Sequence, residues 1–174
     1  FKPPIDFWSV ITIKKAKKIF DKLKNNSNFF LDHEKITMLD YGGYNGLLPY
    51  TFQKLHKKKV DGYVADFDKQ GLKFANFIGI KTIDLNDTDI LNYEYNLITI
   101  VHVLEHLENP TKLLKTLKEM HLTNCYIYLE VPNLYGKSHR DPAHKIEFSL
   151  KSILNLLNDI GIYVEDYGFI ESPK

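Results

Sequence analysis

With a single cysteine, Cys125, the chain cannot form an internal disulfide, and with a single arginine, Arg140, it lacks the guanidinium forks that phosphate readers use. No apolar run approaches the roughly 20 residues that a membrane-crossing helix needs. No secretory leader, repeat or low-complexity tract is visible. Charge of neither sign dominates: 23 Lys and Arg stand against 22 Asp and Glu, a net charge of +1. No global field therefore recruits nucleic acid or a membrane surface. These absences argue against a disulfide-stapled secreted domain, a helical membrane protein and a basic nucleic-acid binder, and a reducing cytoplasm is the expected compartment. The chain starts at Phe1, so an N-terminal piece is expected to have been trimmed or to belong to a longer parent. The abundance of Lys, Asn and Ile suits an AT-rich bacterial genome.

What is present reads as one domain over 1–174, long enough to bury about two-thirds of its unfolded surface. The hydrophobic fraction of 44% and aromatic fraction of 13% are far from a disordered composition. Residues 1–30 read as an N-terminal arm and a helix, and 35–170 as the core. Apolar Val10, Ile11, Ile13, Ala16, Ile19, Phe20 and Leu23 oppose Lys14, Lys15, Lys17 and Lys18, which predicts a helix over 7–24 with a solvated lysine face. Strands are expected over 35–41, 59–66, 79–84, 95–102, 124–131 and 162–170. Helices are expected over 47–55, 69–77 and 110–121, and after Ser149 up to Gly161. Lys57, Lys58 and Lys59 are expected to face water.

Strand and helix alternate, which predicts βαβ units: an α/β, Rossmann-like doubly wound, mostly parallel sheet with helices on both faces. Ligands on such a sheet bind beyond the carboxyl ends of the strands. Five stretches fall there: 40–46, 66–68, 84–86, 102–106 and 132–144. The first reads Asp40-Tyr41-Gly42-Gly43-Tyr44-Asn45-Gly46, a strand running into a glycine-rich turn that lets backbone approach a ligand. Asp66 ends the next strand, where an acidic group would meet ribose hydroxyls. The phosphate-loop pattern G-x-x-x-x-G-K-[ST] is absent. His102-Val103-Leu104-Glu105-His106 spells H-x-x-E-H, a metalloprotease pattern that needs a sustained helix, yet a buried strand precedes it and Asn109-Pro110 starts a new helix.

Five blocks, MLDYGGYNG, DGYVADFDKQGLKFA, NLITIVHVLEHLENP, YLEVPN and HKIEFSLKSILNLLNDIGI, in this order and spacing, resemble a class I S-adenosylmethionine (SAM) dependent methyltransferase. The likeness spans roughly 35–168 and is greatest to the ubiquinone-type O-methyltransferases and the small-molecule and sugar methyltransferases near them. It implies SAM as cofactor. Asp40, Gly42, Gly43 and Gly46 match the motif around the methionine part, and Asp66 the ribose ligand. Phe67 matches the neighbour of the adenine, Asp84 and Leu85 the segment near its amino group, and Val101 and His102 the residues under the sulfonium. Where the family loop has its middle glycine, Tyr44 stands, and its side chain either narrows the pocket or points outward.

Methyl transfer needs an aligned nucleophile and a group to take its proton. Histidine suits that task near neutral pH. Of His102, His106, His139 and His144, the first choice is His106, then His144, with Glu105 orienting a neighbour. No metal is expected. A divalent ion on His102, Glu105 and His106 is the variant suggested by an E-x-x-E-H stretch in the ubiquinone-type enzymes. The expected acceptor is a small molecule, with a sugar or nucleotide sugar meeting Lys137, His139 and Arg140. Two other readings stay open: a methyltransferase-fold binding module without catalysis, and a nicotinamide-dependent oxidoreductase.

Overall fold

The computed structural model describes residues 7–26, 29–56, 60–87, 94–120, 125–136 and 141–170. The arm at Phe1 to Asp6, the run Lys57 to Lys59, and Lys137, His139 and Arg140 lie outside the described residues. Strands β1 (Ile36–Tyr41), β2 (Val60–Asp66), β3 (Lys81–Asp84), β4 (Leu97–Val101) and β5 (Tyr126–Glu130) form one sheet in the order β3-β2-β1-β4-β5. Every neighbouring pair is parallel, with Met38 opposite both Gly62 and Leu97. Parallel strands covered on both faces read as near-continuous apolar runs. β4, Leu-Ile-Thr-Ile-Val, is such a run, with Leu97, Ile98, Thr99 and Ile100 fully buried.

Helices α1 (Phe7–Asn26), α2 (Phe29–Asp32), α3 (Leu47–Leu55) and α4 (Lys69–Phe77) cover one face; α5 (Pro110–Met120) and α6 (Leu150–Asp159) cover the other. Ala16, Ile19 and Leu23 of α1 and Leu48 and Phe52 of α3 pack on Ile36, Met38, Val60 and Leu97. On the opposite face, Leu114 and Leu117 of α5 and Ile153 and Leu157 of α6 pack on Leu39, Ile98 and Ile100. The chain leaves β1 toward one face and β4 toward the other. This reversal opens a crevice above the adjacent carboxyl ends of β1 and β4.

The strands expected over 95–102 and 124–131 are trimmed at their ends to Leu97–Val101 and Tyr126–Glu130, and two further expected strands differ for identifiable reasons. The strand expected over 79–84 starts at Lys81, because Gly79 turns left-handed (φ 86) and the Ile80 N–H bonds back to Ala75 to close α4. The strand expected over 162–170 does not form. Ile162 and Val164 pack against the core, as their spacing suggested, but no backbone ladder joins 162–170 to the sheet among the described residues. Alternating burial reports one apolar face; a strand also needs a neighbour with N–H and C=O groups in register. Instead, Asp166 reaches Lys22 of α1 at 3.0 Å.

Candidate functional site

The turn after β1 is held from three sides. The Gly42 N–H donates to the Ala65 carbonyl of β2 (2.7 Å), and the Tyr44 N–H donates to Asp66 Oδ2 (2.8 Å). Gly42, Tyr44 and Gly46 are all left-handed, with φ of 71, 50 and 68. Gly43 is required for a different reason: a Cβ there would stand 2.1 Å from Asp40 Oδ2. The turn therefore lies directly on the Asp40 carboxyl, which accepts a 2.6 Å hydrogen bond from Thr99 Oγ1 of β4. Burial, reinforced by the Asp66 charge and opposed by the Thr99 bond, pushes the Asp40 carboxyl up to about 7.

Asp66 has a second bond, from the Asp68 N–H (2.9 Å), and Asp68 in turn caps α4 through Gln70 and Gly71. Tyr44, the departure from the glycine pattern, directs its ring over Gly71 at the start of α4, where an added Cβ would meet the ring at 2.6 Å. Half of Tyr44 is exposed. Its side chain has thus left the turn for the flank of α4. A tyrosine in left-handed backbone carries strain of order 1–3 kcal/mol, tolerated only where its surroundings fix it. Phe67 is exposed beside Asn86, whose side chain donates to the Phe67 carbonyl and to Asp84. The Leu85 N–H donates to the Asp66 carbonyl, so the ends of β2 and β3 form one rim. The Asp84 carboxyl is held below its usual range, first by bonds from Asn86 and then by Lys69.

Above β4 the chain turns left-handed at His102 (φ 54) and makes a single 3-10 turn, Leu104–His106. The sustained helix that a zinc protease needs is absent there, as expected. His102 Nδ1 lies 3.3 Å from Glu105 Oε1, and Nε2 lies 3.0 Å from Glu130 Oε1. These contacts, Glu105 first and Glu130 second, raise the His102 imidazole to about 9 against its burial. Glu130 also takes Lys15 Nζ at 2.8 Å and the Tyr128 hydroxyl at 3.3 Å. Burial pushes the Glu130 carboxyl upward, but His102 and Lys15 outweigh it and hold it at about 2.

Glu105 is 1% exposed, and neither carboxylate oxygen has an aligned hydrogen-bond donor. The 3.3 Å approach of His102 is an attraction of charges with poor hydrogen-bond geometry. The Glu105 backbone carbonyl accepts from the N–H groups of Lys145 and Ile146, so the loop before α6 is pinned beside it. That brings the rings of His144 and His106 to 4.9 Å, edge to face. Glu105, His106 and His144 therefore come together, and His102 is drawn aside toward Glu130. Glu130, Lys15 and Thr99 carried no functional expectation from the sequence. Glu130 ends a strand, the same signal that singled out Asp66; Lys15 is expected on a solvated lysine face, but its side chain turns onto Glu130 and is only 21% exposed.

A glycine turn seated on a buried Asp, with a strand-end Asp beside it at the reversal point of a parallel sheet, defines a Rossmann-like cofactor-binding domain. Residues 14–166 match the methyltransferase domain family. The chain belongs to that family and is a SAM-dependent methyltransferase. Similar solved structures include the plantazolicin methyltransferase BpumL in complex with SAH, at 18% identity over 92% of this chain and 71% of that one, with a TM-score of 0.64. A SAM-dependent methyltransferase from Archaeoglobus fulgidus matches at 18% identity over 90% of this chain and 74% of that one, TM-score 0.61. One from Aquifex aeolicus matches at 20% over 86% and 87%, TM-score 0.55. No curated protein matches the sequence. Among the described residues, no helix is long and apolar enough to cross a membrane.

Proposed function

We propose that the chain methylates an oxygen of a small-molecule acceptor, a saccharide or glycan precursor, with His106 taking the acceptor's proton. The oxygen acceptor follows from the resemblance to the ubiquinone-type and sugar enzymes. The observation that carries the residue assignment is the pairing of Asp66 at the end of β2 with the Gly42–Gly46 turn, while His106 and His144 meet beyond β4, on the other side of β1 in the sheet. Bound SAM supplies a methyl group activated on a sulfonium. Gly43 lets the turn sit directly on Asp40, and Gly42 and Gly46 let it pack against Val103 and against Ala75 and Ile80, which shapes the backbone that the methionine part of the cofactor would meet. Each oxygen of Asp66 already accepts one backbone N–H and keeps a further lone pair for a ribose hydroxyl. Phe67 offers its exposed ring to the adenine, Asp84 and Leu85 form the rim near its amino group, and Val101 and His102 form the floor under the sulfonium.

On the acceptor side, the His106 imidazole is exposed and His144 stands against it, with Glu105 beneath. A positioned base contributes about 10²–10⁴-fold in rate. His106→Ala is expected to lower kcat by about that factor and to leave SAM affinity nearly unchanged. Asp66→Ala is expected to abolish SAM binding in calorimetry. Asp66→Asn keeps one acceptor oxygen for the two loop N–H groups and turns an amide NH2 toward the other, so it is expected to bind SAM weakly, with a thermal melt checking that the fold is kept. Acceptors are screened with a panel of glycan precursors plus desmethylPZN analogs, the compounds bound to the BpumL relative. Wild-type SAM affinity in Asp66→Ala sinks the ribose assignment, and turnover confined to the desmethylPZN analogs sinks the saccharide reading.

A further inference from the structure

We propose that Glu105, His106 and His144 form a binding site for a divalent transition-metal ion of the zinc type. The donor atoms of the three side chains all lie within 4.8 Å of one another. Donors around a tetrahedral zinc with bonds of about 2.0–2.1 Å stand about 3.4 Å apart, so small side-chain rotations complete the set. Two nitrogens and one oxygen suit zinc, cobalt or iron; magnesium and calcium prefer oxygen alone.

Independent observations point to an ion. Glu105 is a nine-tenths buried carboxylate whose two oxygens lack an aligned donor among the described residues. The His102 imidazole stands 3.3 Å from Oε1 without hydrogen-bond alignment, and a cation on the side away from His102 would supply the partner that the carboxylate otherwise lacks. His106 Nδ1 lies 3.2 Å from the Ala143 carbonyl. A carbonyl only accepts, so that bond places the proton on Nδ1 and leaves the Nε2 lone pair for a ligand. Metal-binding imidazoles are fixed in this way by a backbone carbonyl on the far nitrogen. The third donor arrives because Lys145 and Ile146 hydrogen-bond to the Glu105 carbonyl and set His144 in place. His102 is unsuited, since both its nitrogens face carboxylates.

Three protein donors leave a position on a tetrahedral ion for water or for the acceptor oxygen. An oxygen bound there is acidified, which would relieve His106 of the base role when the ion is present. The loop at 141–148 would also be stapled to the 3-10 turn.

Untagged full-length protein, stripped with chelator, is titrated with cobalt(II) and followed by visible absorption, and with zinc(II) by calorimetry. One ion per chain is expected, with His144→Ala and Glu105→Gln each weakening binding by about tenfold or more. His144 sits on a surface loop, so its variant stays informative even if Glu105→Gln fails to fold. Absence of saturable binding, binding that the His144 variant leaves unchanged, or binding of magnesium alone overturns the proposal. The inference does not depend on SAM: metal binding without SAM binding sinks the proposed cofactor contacts alone, and SAM binding without metal sinks this one alone.

Discussion

Asp40 looks unremarkable in the sequence, one acidic residue before a glycine turn. Its burial, its bond from Thr99 and the backbone of Gly43 against its oxygens are set by how β1 and β4 pair, which no local pattern encodes. Its carboxyl is raised to about 7 from 3.8, chiefly by burial. A raised carboxyl contributes stability that is complete below about 3.8 and lost as pH climbs through about 7. Asp40→Asn keeps an acceptor for Thr99 and removes the charge. Without cofactor, it is expected to raise Tm at pH 8 by about 2–4 °C, or about 1 kcal/mol in a chain of this size, and to change little at pH 4. Thermal melts at both pH values check this; a loss at pH 8 would mean that the charge is held by a favourable contact. Tyr44 shows the same limit of legibility. The sequence marked it as a departure, but only the neighbouring Gly71 decides where the ring goes.

Among elements, periodicity located α3 and α4 residue for residue, because apolar spacing and caps are local signals. Helix α6 is the clearest case. Ser149 accepts from the Ser152 N–H at 3.1 Å while Ser152 Oγ accepts from the Ser149 N–H at 2.9 Å. The sequence identified Ser149 as the cap. Ser149→Ala is expected to lower stability by about 1 kcal/mol, seen as a drop of about 2–4 °C in Tm. An unchanged melt would show that packing of Ile153 and Leu157 alone sets the helix start. The segment after Gly161 failed as a strand because pairing depends on a distant partner, whereas the alternation of Ile162 and Val164 depends only on burial. The 3-10 turn at 104–106 went unforeseen for a similar reason: it follows from left-handed His102, whose geometry is fixed by Glu105 and by Glu130 on another strand.

Across the whole molecule, Lys15, Glu130 and His102 tie α1 to the carboxyl ends of β5 and β4. His102 is raised from 6.5 to about 9, so its contribution is complete below about 6.5 and lost as pH rises through about 9. Glu130, lowered from 4.5 to about 2, contributes above about 4.5 and loses its effect as pH falls toward 2. Wild-type Tm is therefore expected to decline between pH 6.5 and 9 more steeply than that of His102→Gln, and parallel curves would refute the link. The fold class was legible because alternation of strand and helix leaves few topologies; the strand order was not spelled out by any single stretch. That order also bears on how the chain assembles. Met38 meets Gly62 through one intervening helix, but meets Leu97 only after two further strands and α4 have been made. Closing the longer loop has the larger entropic cost. The β1-α3-β2 unit therefore offers the faster nucleus, and β4 docks onto an edge already built. During synthesis that early unit leaves the β1 edge open until Leu97 emerges, so the central strand of the finished sheet is for a time its most exposed one.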